Sequence, residues 1–381
     1  MESLQQERNQ LMFDLWEGKR PKRVPVTAGV SLEYALQYKG YSLLRELYSP
    51  RHCFEVAEEM AKLINTDNLP TAPETRAAIF RYSMNKFMTP GRDGFFQHPN
   101  FSPMKVEEYP ELIKDPFAYW TKVIRPRFLG IIAEDKEYGH LRLEMAHRVV
   151  DAKYAGMGSP ELIEKYERIN NQVIVLLSMT PFDYIADYFR NFTGILIDIR
   201  KNPGWVLEAC EAMLGFLDGS LKRIKKTPEK LNLVSLPLHM PPFMKPKDYE
   251  KFYFPTFQKL IQMIQDYGLQ PTIYCEENWD PHLDSLNDLP GRVLIGFEKS
   301  NPKLVMEKLN KRHIMRNFFD AHMLRTATPD QVRDEVKKLL DIVAVNGNYI
   351  FAPSKQPLYL SDAKIENIIA MVEAVLEYGV Y

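Results

Sequence analysis

Four polar clusters in the second half of the chain each follow a short apolar run. His239 comes directly after residues 233–238, and Cys275-Glu276-Glu277-Asn278-Trp279 closes the run 271–275. Glu298 follows 293–297, and Asp320 and His322 follow 314–318. One histidine or glutamate in a loop is usually solvated or structurally hydrogen-bonded. Four in succession, at equivalent places, suggest a shared site. A set of His, Glu, Glu and Asp/His could bind Zn²⁺ through nitrogen and carboxylate oxygens with a position left open for substrate. Without a metal, two neighbouring carboxyls raise each other's pKa, so Glu276 becomes a proton donor, as are His239 and His322. His239, Glu276 and His322 are therefore the candidate catalytic residues. Cys275 is followed by Glu276 and Glu277, which disfavour a thiolate, and reads as packing.

Met240, Phe243, Met244 and Trp279 flank these polar groups and suit either the wall of an apolar pocket or plain core. His98, in Gln97-His98-Pro99, is a further candidate for substrate contact. Asp183 is open between anchor and structure, and Asp187 reads as a helix-start carboxylate.

The elements that must position these groups alternate. Strand-like runs at 24–30, 193–197, 233–238, 271–275, 293–297, 314–318 and 349–352 are separated by helical stretches such as 249–267, 302–309 and 328–343. An amphipathic helix at 4–17 precedes them. Thr328, Pro329 and Asp330 form a good helix start. Such alternation predicts a parallel sheet with helical crossovers. The number of runs favours a closed (β/α)8 TIM barrel, one domain over 1–381, with an N-terminal elaboration at 69–126. Functional groups in such barrels project from the C-terminal strand ends. No GxGxxG follows a strand and no P-loop pattern occurs, which argues against nucleotide folds.

Bulk properties narrow the partners. Forty-nine Lys+Arg against 50 Asp+Glu leave a net charge of −1, so neither nucleic acid nor a membrane surface is expected. No apolar run approaches the ~20 residues of a membrane span, and residues 1–8 do not begin a signal peptide. Three scattered cysteines make no disulfide framework, so a reduced, cytoplasmic protein is expected.

Eight stretches in order resemble the uroporphyrinogen decarboxylase-like superfamily: WEGKRPKRVP (16–25), QHPNFSPM (97–104), PFDYIAD (181–187), LPLHMPPFM (236–244), YEKFYFP (249–255), GLQPTIYCEENW (268–279), TATPDQV (326–332) and Glu366-Asn367 with Tyr378-Gly379. The resemblance implies a (β/α)8 barrel and a choice of activities. Decarboxylases of this type carry an Arg-rich first-strand segment, where this chain has VTAGVS (26–31). Thiol-methylating relatives use a His-x-Cys pair and a later Cys for zinc. Here the pair falls on Tyr274 and Glu276, and no Cys lies near 351–354. The resemblance is therefore best to methyltransferases that take a methyl group from methoxylated aromatics. It implies an aryl methyl ether as substrate and zinc on Glu276, Glu298 and His322. It also implies a corrinoid (cobalamin) acceptor on a separate corrinoid protein. Asp320-Ala321-His322 begins a corrinoid-binding pattern, but Arg325 replaces its glycine, so the cofactor must arrive on that partner. A carboxy-lyase, a methyltransferase with an N- or S-methyl donor, and a non-catalytic binding barrel are the alternatives.

Overall fold

The computed structural model describes residues 3–91, 94–154, 156–176 and 179–381, apart from the Leu176 side chain. Leu177, the last residue of the apolar stretch 173–177, lies outside them. A two-residue antiparallel ladder joins β1 (Thr89–Pro90) to β2 (Phe96–Gln97) within the expected elaboration. The main sheet is parallel, in sequence order: β3 (Gln172–Leu176), β4 (Leu231–Leu238), β5 (Gln270–Cys275), β6 (Leu294–Phe297), β7 (Ile314–Asn317) and β8 (Tyr349–Ile350). Helices Pro203–Leu221, Phe254–Asp266, Pro302–Lys308 and Pro329–Val343 separate these strands. The helices cover the outer sheet face, where Val234, Leu236, Ile273, Ile295 and Met315 join the large apolar core.

Two extended segments supply the remaining staves of the (β/α)8 barrel. Residues 24–30 do not form the regular strand expected. Val26 makes a single parallel bridge to Phe351, with Thr27 N donating to Phe351 O and Phe351 N to Pro25 O. Pro25 has no amide to give a continuous ladder. On the other side, Asp67 N donates to Val26 O and Val30 N to Pro70 O, while Ile169 N donates to Asp67 O. Gly29 permits this approach, because a Cβ there would stand 2.2 Å from Pro70 O.

With so few ladder bonds, closure falls to the Asp67 side chain. It is fully buried and accepts from Val26 N at 2.7 Å and, through two bonds of 2.9 and 2.7 Å, from Arg23. Arg8 Nε lies 3.3 Å away. Arg8 in turn donates to Tyr166 O, Glu167 O and Asn65 Oδ1. Helix Leu4–Glu17, which carries Arg8, starts with a Ser3–Gln6 capping box and stops at left-handed Gly18. Its Met12 and Leu15 pack with Leu231, Leu233, Leu294, Ile314 and Ile350 and plug the N-terminal end of the barrel.

The run 193–197 was expected as a strand and is part of helix Asn191–Lys201. Its buried residues, Ile195, Asp198 and Ile199, recur at helical spacing, a period that five apolar-rich residues are too short to display. Among the described residues, no helix is long and apolar enough to cross a membrane.

Asp67→Ala should destabilise the protein by about 3–5 kcal/mol, because it strands two buried guanidiniums. A lowered urea midpoint would show this; a change under 1 kcal/mol would mean that the backbone bonds alone close the barrel.

Candidate functional site

Strand register sets the site. Leu238 pairs with Cys275, Cys275 with Phe297, and Phe297 with Asn317. The residues that follow these pairs therefore emerge together at the C-terminal rim. His239 is one of them, and the helical segment beside it fixes its environment. Thr180 caps helix Pro181–Ile185, which continues as a π-turn over Ala186–Arg190. Asp183 and Asp187 lie one turn apart and both face β4.

Asp183 is completely buried. It accepts from Met240 N at 2.9 Å, Tyr253 OH at 2.5 Å and Thr180 Oγ1 at 3.0 Å, with a longer 3.4 Å contact from His239 N. Burial raises its pKa to about 6 despite His239. Its role is to hold the turn after β4. Asp187 holds the side chain: its Oδ2 lies 2.8 Å from His239 Nδ1, and His239 Nε2 lies 3.2 Å from Glu276 Oε1. Side-chain exposure rises through the triad, 7% for Asp187, 19% for His239 and 39% for Glu276, so the glutamate is the member that meets solvent.

Burial opposes the imidazolium, but bonds to Asp187 and Glu276 outweigh it and raise the His239 pKa to about 11. Burial pushes Asp187 upward too, and His239 offsets only part of that. His239 is thus a fixed cation at neutral pH, flanked by acids. Its charge stabilises the fold fully below the unfolded histidine pKa of about 6.5 and is lost as pH rises through about 11.

The triad lines a cleft of about 590 Å³ with His98, Phe87, Phe101, Asn191 and Phe192. His98 meets Phe87 edge-on at 5.0 Å. Asn191 adopts a left-handed φ of 55°, and Glu277, next to Glu276, one of 57°. Such non-glycine conformations carry strain and cluster at functional sites.

The structure brings His98, His239 and Glu276 to one cleft and separates the other expected residues. Met240 and Trp279 are completely buried and Met244 nearly so; they belong to the core rather than to a pocket wall. Trp279 packs edge-on against Tyr249. Phe243 is 56% exposed, 5.9 Å from Phe192 at the cleft margin. The aromatic walls are instead Phe87, Phe101 and Phe192, of which only Phe101, inside the stretch 97–104, lay in a segment that the sequence marked.

The expected zinc ligands are not assembled. Glu298 accepts from Glu277 N at 3.0 Å and pairs with Lys355 at 2.8 Å. His322 opens onto a different cleft, with Arg325, Lys355 and Leu358. Among the described residues, no three His, Cys, Asp or Glu side chains are placed to hold one metal ion. The donor set does not fit zinc, because Lys355 already neutralises its central carboxylate.

Residues 181–378, beginning at the segment that carries Asp183 and Asp187, match uroporphyrinogen decarboxylase (URO-D). That is more than half of the chain. The chain belongs to the URO-D family. A methyltransferase from Methanosarcina mazei is similar in structure, with a TM-score of 0.58 over 97% of this chain and 98% of that one at 13% identity, a likeness of fold. No curated protein matches. In this URO-D barrel the triad comes from the matched region, whereas His98, Phe87 and Phe101 come from the elaboration before it.

Histidine ¹⁵N shifts should show His239 still charged at pH 8.5, with His282 and His313, whose pKa values burial lowers, neutral at pH 7. Asp187→Asn should lower the His239 titration point by at least about one pH unit. A neutral His239 at pH 8.5 would mean that the flanking acids do not hold its proton.

Proposed function

We propose that this protein is a methyltransferase that removes the methyl group of an aryl methyl ether and delivers it to the reduced corrinoid of a separate protein. The observation that carries this reading is the cationic His239 set between Asp187 and Glu276 on the wall of a phenyl-lined cleft. Methyl ethers resist displacement because phenolate leaves poorly. In the proposed step a bond forms from the corrinoid cobalt to the methyl carbon as the carbon–oxygen bond breaks, and the bonding pair stays on oxygen. The cobalt(I) co-substrate becomes methylcobalt(III).

The chain's own task is to orient the ring and stabilise the oxygen. Phe87, Phe101 and Phe192 offer faces and edges to one aromatic ring. His239 Nε2 is the group aimed at the departing oxygen. Glu276 occupies it in the absence of substrate and, as the exposed member, can rotate aside. With Glu276 turned aside, Asp187 still supports the imidazolium, which meets the developing phenolate through a charge-assisted hydrogen bond. Asp187 keeps the ring oriented and charged throughout.

Decarboxylation of a polycarboxylate fits this cleft less well. Its polar walls are two acids, two histidines and two asparagines, and its cation, His239, is already flanked by both acids. Among the described lining residues no arginine or lysine is left to pair with further carboxylates, which are strongly disfavoured when buried unpaired.

Mixing the protein with cob(I)alamin and a methoxyphenol should produce the methylcob(III)alamin absorption spectrum. His239→Gln should slow this by ~10²–10⁴-fold when assayed well below the variant's own melting temperature, where all of it is folded. Equal rates in the variant, or carbon dioxide release from uroporphyrinogen by the native protein, would overturn the reading.

A further inference from the structure

The barrel interior is not packed. In barrels of this class, layers of branched apolar side chains normally fill it. Here the inward positions include Gln172 on β3, Ser235 on β4, Thr272 on β5 and Arg316 on β7, and two adjoining cavities of about 280 and 340 Å³ remain. Both touch Thr27, Asn68, Leu69 and Arg316. The lower cavity continues onto apolar Met12, Leu233, Leu294 and Ile350, and the upper opens toward Asn317, Pro353 and Gln356 at the C-terminal rim. Neither shares a lining residue with the His239 cleft.

Arg316 stands where the two cavities meet, and its charge is unanswered. Among the described residues it makes one hydrogen bond, from Nη2 to Thr27 O at 3.3 Å, and no carboxylate lies within ion-pair distance. The titratable groups acting on it are the hydroxyls of Tyr274 and Tyr349. Other wholly or partly buried arginines of this chain are treated differently. Arg23 and Arg190 have aspartates, and Arg168, which has none within bonding distance, donates to Asn65 Oδ1 and to the carbonyls of Ala61, Ile64 and Thr66. Around Arg316, its own Nε, Thr27 Oγ1, Asn68 Oδ1 and Gln172 Nε2 are buried with no partner among the described residues. Such a concentration of orphaned polar atoms in one place is unusual in a native interior. Directly after Arg316, Asn317 and Phe318 both hold left-handed φ angles, of 78° and 77°, rare for any side chain and rarer for phenylalanine.

We propose that the barrel interior is a binding site for a small monocarboxylate whose charged end meets Arg316. An arginine remains protonated even here, and a buried unpaired charge is strongly unfavourable unless a ligand completes it. One guanidinium with no second cation balances one negative charge, which selects a monoanion over sulfate or phosphate. The fork of the guanidinium matches a carboxylate's two oxygens. Thr27 and Gln172 supply additional donors, and the apolar floor of the lower cavity takes the hydrocarbon part. This site is independent of the methyl-transfer reading.

Benzoate titrated into the full-length protein at constant ionic strength should bind saturably and raise the melting temperature, whereas its neutral isostere benzamide should not. Arg316→Met should weaken benzoate binding at least 10-fold while leaving the ligand-free melting temperature equal or higher, since an unpaired buried charge is removed. Arg316→Lys, which keeps charge but not the fork, should show an intermediate affinity. His239→Gln should bind benzoate like the native protein. Equal binding of benzamide, saturation by chloride or sulfate at the same concentrations, or no benzoate binding would each overturn the proposal. So would loss of binding in His239→Gln, which would place benzoate in the other cleft.

Discussion

One buried carboxylate joins the two irregular staves of this barrel to the rest. Between residues 24–30 and 66–70 the backbone supplies only a few bonds, and Asp67 supplies the remainder by accepting from Val26 N and Arg23 while Arg8 stands beside it. Through Arg8 the N-terminal helix is fixed to the carbonyls of Tyr166 and Glu167, just ahead of β3. The first stave, the second stave, the entry to the sheet and the basal plug thus meet at one side chain. Proline and glycine in these segments rule out a long regular ladder, and charge takes its place.

The rim and the interior solve opposite electrostatic problems. At the rim two acids share one imidazolium, so the proton on His239 is held firmly and the local excess is negative. Asp183 makes this possible from beneath, by fixing Met240 N and Tyr253 OH so that His239 cannot turn away. In the interior one guanidinium faces uncharged neighbours. A protein with nearly balanced overall charge therefore contains two local imbalances, one anionic at the rim and the other cationic in the barrel interior.

Much of the framework was legible in the sequence because parallel strands with helical crossovers leave a repeating signal. His239 and Glu276 could be singled out because each follows a strand, and Leu238 and Cys275 are in fact register partners. Asp187 was underrated. Its spacing of four from Asp183 was the available clue, but only the fold shows that both acids face the turn after β4. Trp279 and Met240 were misplaced for a simple reason: a loop aromatic or methionine looks the same in sequence whether it lines a pocket or fills a core. Glu298 was misjudged as a ligand because its partner Lys355 lies 57 positions later, beyond any local pattern. Arg316 passed unnoticed as one charged residue in a short strand, since nothing in the sequence reveals that its neighbours are polar and unpaired.

The region around residue 24 also meets the far end of the chain. Val24 N donates to Gly379 O at 2.7 Å, Tyr381 N donates to Lys22 O, and Arg23 bridges Val380. Residues separated by more than 350 positions must therefore find each other before the first stave is in place. During synthesis on the ribosome, residues 22–30 emerge long before their partners and cannot reach their final pairing until residues near 380 are outside the exit tunnel. The earliest-made stave is then the last to settle, and until it does the growing chain exposes an open sheet edge to chaperones and to other nascent chains.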